Sequence, residues 1–408
     1  MATTETSPVG GRFVTPFVKL LLAIWALGSA VAVVRFTRGL GAVSAMNDGY
    51  PWGIWIALDM VVGTALGSGG FAVALLVYVL HRGRYHPLIR PAILTAALGY
   101  TAGATAIVFD VGRYWNLWRV PVAPLFSSGG RFGWNFNSGL LEVALCVMAY
   151  TAVLWVETAV PVLEGLEAGP PGRLRSLAVA VRPALERSLP VVLALGVVLP
   201  MMHQSSLGSL LLVATTKLHP LWHTPLLPLL FLLSCVGVGY AAVVIEATFS
   251  GTVFGRPLEL RILRELAGVM AALAGLLVVV RLADVTLRGR LPLAFAPSLL
   301  SGFFWLELAL TGAAAVLLWR RRRAGTPGAL VRAAGLLAAA GALYRIDVYL
   351  TAFDPGNGWR YFPSVGEILI SLAIVSVETM AFLFAVRRFP ILPRARRPAG
   401  SVPARAAS

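Results

Sequence analysis

Charge is scarce in this 408-residue chain: Asp, Glu, Lys and Arg make up 13% of it, against 58% hydrophobic residues. A water-soluble domain cannot bury that much apolar surface, whereas a lipid bilayer can. Acidic residues are rarer still, 18 against 34 basic ones, giving a formal net charge of +16. A basic excess of that size can serve nucleic acid. Here, however, the arginines stand between apolar runs rather than along one amphipathic face, so they read as membrane topology anchors and no nucleic-acid partner is expected. Cysteine is nearly absent. Cys146 and Cys235 both lie in apolar runs without CxxC spacing, which excludes a self-contained iron–sulfur cluster, a zinc site or a disulfide framework, and no metal ligands are assigned.

Long apolar runs are plentiful. Ten are legible: Pro16–Val34, Ile54–Leu80, Leu88–Val111, Leu140–Val162, Leu189–Met202, Trp222–Ile245, Leu260–Leu282, Leu299–Leu318, Leu330–Leu343 and Ile368–Val386. Spans of this length in lipid must satisfy their backbone polar groups internally, so each is expected to be a helix. The fifth and ninth are short for a span and need help from flanking residues. The first run reads as a retained anchor rather than a cleaved signal. The expected fold is therefore an all-α integral membrane protein of about ten helices.

The basic residues set an expected orientation. Of the 34, 23 fall on the faces holding the two termini, and 11 on the opposite faces. By the positive-inside rule both termini are cytoplasmic, in an inner (cytoplasmic) membrane, and the opposite face is periplasmic.

The chain also repeats itself weakly. Pro51, Gly70, Phe71 and Ala72 recur 169 residues on as Pro220, Gly239, Tyr240 and Ala241, and Ser138-Gly139 recurs 163 on as Ser301-Gly302. An offset of four helices preserves orientation, so helices 2–5 and 6–9 read as two four-helix bundles in a parallel repeat, with helices 1 and 10 flanking them. The divisions expected are 1–44 (N-terminus and first helix), 45–202 (first bundle), 203–350 (second bundle) and 351–408 (last helix and basic tail).

Ionisable residues inside a membrane are costly and mark function by default. Asp59 lies eight residues past Pro51, roughly 12 Å inside the outer boundary at ~1.5 Å per residue, and has no local partner. Asp110, with Arg113 and Tyr114, closes the outer end of helix 3. Glu142 opens helix 4, and His203-Gln204 is expected to cap the outer end of helix 5. All belong to the first bundle. In the second bundle, Arg281, Asp284, Glu307, Arg345 and Asp347 read as ion pairs, structural or proton-conducting.

Carboxyl and imidazole groups near an interface suit proton exchange with a carrier whose reduction takes up both electrons and protons. A quinone is the lipid-soluble case. Its carbonyls need donors, and its ring needs an aromatic slot; Arg113, Tyr114, Trp115, Trp134, Asn135, Gln204 and His203 could supply them. Removing a carboxyl from water favours its neutral form, which poises it as a general acid. A haem held between helices needs two histidines at matching depth. Of the five present, His81 and His86 fall on the cytoplasmic side and His203, His219 and His223 on the outer side, with none in mid-membrane; haem b is not expected. With no cofactor of its own foreseen, electrons would arrive from a partner docked on the outer face, where long aromatic and Arg-bearing loops suit docking. A secondary transporter is the rival class, but no pair of broken helices stands at the midplane.

Several motifs carry a family likeness. Tyr50 to Asp59 (YPWGIWIALD), Phe109 to Asn116 (FDVGRYWN), Trp134 to Glu142 (WNFNSGLLE) and Met202 to Leu210 (MHQSSLGSL) resemble the NrfD / polysulfide reductase membrane-subunit family. Lys217 to Trp222 (KLHPLW) and Gly239 to Glu246 (GYAAVVIE) are most similar to its HybB-type members, the membrane subunits of periplasmic nickel–iron hydrogenases. The resemblance implies a quinone-reactive subunit of a hydrogen:quinone oxidoreductase complex, with menaquinone or ubiquinone as substrate. It would sit beneath a periplasmic ferredoxin-like iron–sulfur subunit and the hydrogenase small and large subunits. A polysulfide- or nitrite-type oxidoreductase is the alternative within the family. Family proteins are also discussed as proton-translocating; Glu157, Glu246, Glu265 and Glu378 are the candidates for a proton path here.

Overall fold

A computed structural model describes residues 5–122, 138–214 and 216–394. Among them ten helices are long and apolar enough to cross a membrane: α1 Pro16–Arg38, α2 Trp55–Val79, α3 Gly83–Asp110, α4 Gly139–Glu167, α5 Arg173–Leu212, α6 Leu227–Phe254, α7 Leu260–Leu287, α8 Leu299–Arg321, α9 Pro327–Thr351 and α10 Val365–Arg388. The only strand-like pairings among these residues are two isolated bridges. The chain is a multi-pass, all-α membrane protein. Side-chain caps set several starts: Thr15, Ser138, Ser298, Thr326 and Ser364 each accept a hydrogen bond from the backbone N–H three residues on. Those first-turn N–H groups have no partner within the helix.

Two helices differ from the sequence expectation. The fifth run, expected as Leu189–Met202, is the middle of a 40-residue helix from Arg173 to Leu212. Its first turns are too polar to read as a span; within them and just beyond, Arg182 bonds Glu167 of α4 (2.6 Å) and Glu186 (2.7 Å). His203 therefore lies inside α5 instead of capping it, and a bundle boundary at 203 falls within a helix. The ninth run extends from 14 expected residues to the 25 of Pro327–Thr351. Its last turn holds buried Asp347 and Tyr349, and the acid interrupts the apolar pattern.

α2 to α5 pack on one another in sequence, α6 to α9 do the same, and α1 pairs with α10 against α3. The two four-helix groups share one apolar core, in which Tyr100, Tyr150 and Ala96 join Tyr240, Leu263 and Leu330. They meet where α2 crosses α6. A Cβ on Gly239 would lie 2.8 Å from the Ser68 carbonyl carbon, and one on Gly69 would lie 2.9 Å from the Gly239 carbonyl oxygen. The Tyr240 hydroxyl donates to the Ala72 carbonyl at 2.9 Å beside that crossing. The described chain ends lie on one face: Ser7 N–H donates to the Leu392 carbonyl at 3.0 Å, while the Arg256 guanidinium bonds the Pro8 and Pro393 carbonyls.

Candidate functional site

The first turns of α2, Trp55–Met60, are wound as a π-helix, a distortion that recurs at functional sites. Asp59 sits in it, 8% exposed, and accepts a hydrogen bond of 2.6 Å from the Ser371 hydroxyl of α10. Ser371 belongs to one stripe of α10, since Glu367, Ser371 and Glu378 are spaced by four and seven residues and so share a face. At the head of the stripe, Glu367 is fully buried. It accepts from the backbone N–H of Ala45 (3.0 Å) and Ser364 (2.8 Å), and from the Tyr361 hydroxyl (2.5 Å). Tyr361 in turn accepts from the N–H of Ile54, the residue before the π-turn (2.7 Å). Burial first, and then the Glu367 carboxylate, push the Tyr361 phenol well above its ordinary range.

Asp110, at the last turn of α3, accepts from the Gly53 N–H at 2.9 Å. The cation beside it is Arg35 of α1. Arg35 is 1% exposed, and its guanidinium donates to the carbonyls of Phe109 (2.9 Å) and Val111 (2.8 Å), which closes the C-terminus of α3. This favourable placement of a cation at a helix C-terminus was not legible in the sequence. Arg35 follows an apolar run and looks like a topology anchor. Arg113, expected to close the outer end of helix 3 with Asp110, is instead exposed, and no salt bridge holds it among the described residues. Tyr114 packs edge-on to Phe36 at 4.8 Å, and Trp115 is 59% exposed. Trp134 and Asn135 lie outside the described residues.

A cavity of about 210 Å³ opens between α1, α3 and α10, lined by Trp25, Gly28, Thr101, Phe109, Ile374 and Glu378 among others. Trp25 and Val377 on its rim are exposed at mid-helix, so it faces the lipid side. Glu378 is the one ionisable group in its lining and lies within electrostatic reach of Asp59.

His203 and Glu142 stand apart from this cluster. His203 is fully buried. Its Nδ1 is 3.1 Å from the Tyr100 hydroxyl, and its Nε2 has no partner among the described residues. Gln204 donates to the Thr64 hydroxyl at 3.1 Å. Glu142 accepts from Ser206, one turn beyond His203, at 2.6 Å. The four groups of the first bundle thus have separate partners: Asp59 bonds Ser371, Asp110 bonds the Gly53 N–H, His203 meets Tyr100, and Glu142 of α4 bonds Ser206 of α5. The split arises because α2 presents Asp59 to α10 and Thr64 to α5.

Of the proton-path candidates, Glu378 joins the Asp59 cluster. Glu157 is buried against Gly196 of α5, where a Cβ would come within 3.0 Å of its carboxylate. Glu246 accepts from Ser250 at 2.7 Å. Glu265 is tied to Arg84 (3.0 Å), Arg261 (3.4 Å) and Tyr85 (3.0 Å). In the second group of helices, Arg281 pairs with Glu307 at 2.5 Å and Arg288 with Asp284 at 2.6 Å. Arg345 and Asp347 make no salt bridge among the described residues, where no cluster of three or more metal-ligating side chains occurs either.

Ten membrane helices enclosing buried carboxyls beside a lipid-facing cavity define a class of multi-pass membrane protein, and residues 42–352 match the polysulphide reductase NrfD family. The chain belongs to that family. It is 37% identical to the probable Ni/Fe-hydrogenase 2 b-type cytochrome subunit of Escherichia coli over 95% of both chains. It is 34% identical to a protein of Nitratidesulfovibrio vulgaris, covering 90% of this chain and 92% of that one. It is 27% identical to the menaquinone reductase integral membrane subunit of the same organism, covering 91% and 89%.

The first of these names corrects one expectation. A relative this similar is called a b-type cytochrome subunit, so the reading that haem b has no place here is withdrawn. The described residues offer such a group one buried imidazole nitrogen, His203 Nε2. His81 and His86 are exposed, and His219 and His223 are half-buried in the loop between α5 and α6. This donor set does not fit a haem held between two buried histidines.

Proposed function

We propose that this chain is the quinone-reactive membrane subunit of a respiratory hydrogenase-type complex, passing electrons from a periplasmic iron–sulfur subunit to the membrane quinone pool. The observation that carries the reading is the buried Asp59–Ser371 pair within electrostatic reach of Glu378, the only ionisable group among the described residues that line a lipid-facing cavity. A relative named as a menaquinone reductase membrane subunit supports the substrate class, and one named for a hydrogenase supports the complex. In this reading both termini lie in the cytoplasm, which the basic bias supports, and the Asp110–Arg35 end of the site lies on the periplasmic side of an inner membrane. Exposed Trp115, Trp118, Arg113, Arg119, Trp359 and Arg360 on that side form the docking surface for the iron–sulfur partner and the hydrogenase behind it.

In this reading the quinone ring enters from the lipid between α1 and α10 and packs beside Thr101 and Ala102, on the stretch of α3 that faces Glu378. Reduction to quinol takes two electrons from the partner and two protons. Glu378 stands at the ring and delivers one proton to one carbonyl, and Asp59, held by Ser371, reprotonates Glu378; the second proton reaches the other carbonyl from water. Asp110 and Arg35 fix the α3 end that carries Phe109. His203 of α5 and Glu142 of α4 form a second proton-exchanging group, beside Gln204.

The test is a titration of the chain in nanodiscs with a hydroxyquinoline N-oxide, a quinol mimic. Saturable binding that weakens in Glu378→Gln and Asp59→Asn supports the site. Binding unchanged in both variants places the quinone elsewhere, and no binding in any form defeats the reading.

A further inference from the structure

Among the described residues two carboxyls sit in π-helical turns, and one of them is Asp59. The other is Asp347, first residue of the turn Asp347–Thr351 that closes α9. It has 0% exposure, and neither carboxylate oxygen finds a hydrogen-bond partner among the described residues. The Thr351 hydroxyl faces it outside ordinary bonding geometry.

Charged groups face it from two neighbouring helices, Glu307 of α8 and Arg281 of α7. These are committed to each other at 2.5 Å, and the Trp222 indole fills the second Glu307 oxygen at 3.0 Å. Arg345, two residues earlier, directs its guanidinium to the Phe231 carbonyl (3.0 Å) and Ser234 (3.2 Å). Among the described residues Asp347 therefore has no salt-bridge partner and no donor in ordinary hydrogen-bond geometry. Buried polar groups are nearly always bonded, and an unpaired charge there is disfavoured by its lost hydration.

A polar column leads from this acid to the face opposite the chain ends. Beside Arg281 and Glu307, which touch Leu221 and Trp222, Asp284 accepts from Thr224 (2.7 Å) and from Arg288 (2.6 Å). Arg288 and His223 then line a cavity of about 390 Å³ with Leu218, Pro220, Pro225 and Arg290.

We infer that Asp347 is a proton-exchange site of the second helix bundle, trading its proton with water at the loop face through the Glu307–Asp284 column and the cavity at Arg288. The site is separate from the α2–α10 cluster and stands whether or not that cluster binds quinone.

The experiment is infrared difference spectroscopy of the full chain in nanodiscs on exchange from H2O to D2O. The expected result is a protonated-carboxyl C=O band that shifts in D2O, is lost in Asp347→Asn, and survives in Asp59→Asn. Asp347→Glu retains the acid and returns the band at a displaced frequency, which guards against a folding defect in the amide variant. A bulky maleimide on Pro225→Cys, at the cavity wall, slows the exchange; the native Cys146 and Cys235 are buried. A band unchanged in Asp347→Asn overturns the assignment, and exchange indifferent to the label overturns the route.

Discussion

The most demanding consequence of the proposed site is a coupling between Asp59 and Ser371. The Ser371 hydroxyl lies 2.6 Å from Asp59 in a buried setting, with Ser371 itself 6% exposed. Ser371→Ala leaves that carboxyl oxygen without its donor, a loss of about 1–3 kcal/mol. If the bond holds Asp59 in position for proton transfer, the loss falls on the transition state. At roughly 1.36 kcal/mol per tenfold, kcat/KM for quinone reduction drops between about fivefold and about 150-fold. Asp59→Asn removes the transferable proton and lowers turnover at least as far. Because the two side chains act as one unit, the double variant should be no slower than Asp59→Asn alone. The assay is hydrogen-dependent reduction of a soluble quinone by the assembled complex, with thermal unfolding run alongside to show that each variant is folded. Losses that multiply, or normal turnover in Ser371→Ala beside a dead Asp59→Asn, would refute the reasoning.

Two further outcomes follow from the geometry. Gly239→Val puts a side chain where the backbone of Ser68 already stands 2.8 Å away; overpacking at the bundle crossing should destabilise by about 1–3 kcal/mol or more. Gly275→Ala, which meets nothing within 4 Å, should leave the thermal midpoint in place. Tyr361 ionises in the unfolded chain near the ordinary phenol value of about 10 but at higher pH when folded. Stability should therefore fall as pH rises through that value, because the unfolded state loses its proton first. Tyr361→Phe should flatten that alkaline limb in a thermal-melt series, and an unchanged limb would show that Tyr361 does not drive it.

The sequence by itself determined the class of fold. Runs too long and apolar for water leave the backbone no solution in lipid except helices, and ten such runs match the ten observed helices. It also marked Asp59, since an acid inside an apolar run has no local explanation. Its family motifs carried the relationship that the comparison with known proteins bears out over residues 42–352.

What it did not carry was which helix each polar group faces. Asp59 and Ser371 are 312 positions apart, as are many other pairs that never touch, and only the packing of α10 against α2 and α3 joins them. Arg35 reads as an anchor until the C-terminus of α3 is seen to end on its guanidinium. His203 reads as a cap because hydropathy stops at Met202, whereas the backbone continues as helix to Leu212. Periodicity records the solvent that a segment prefers; the partner of a buried charge is chosen by tertiary packing, where an unmet hydrogen bond is more costly than any local preference can offset.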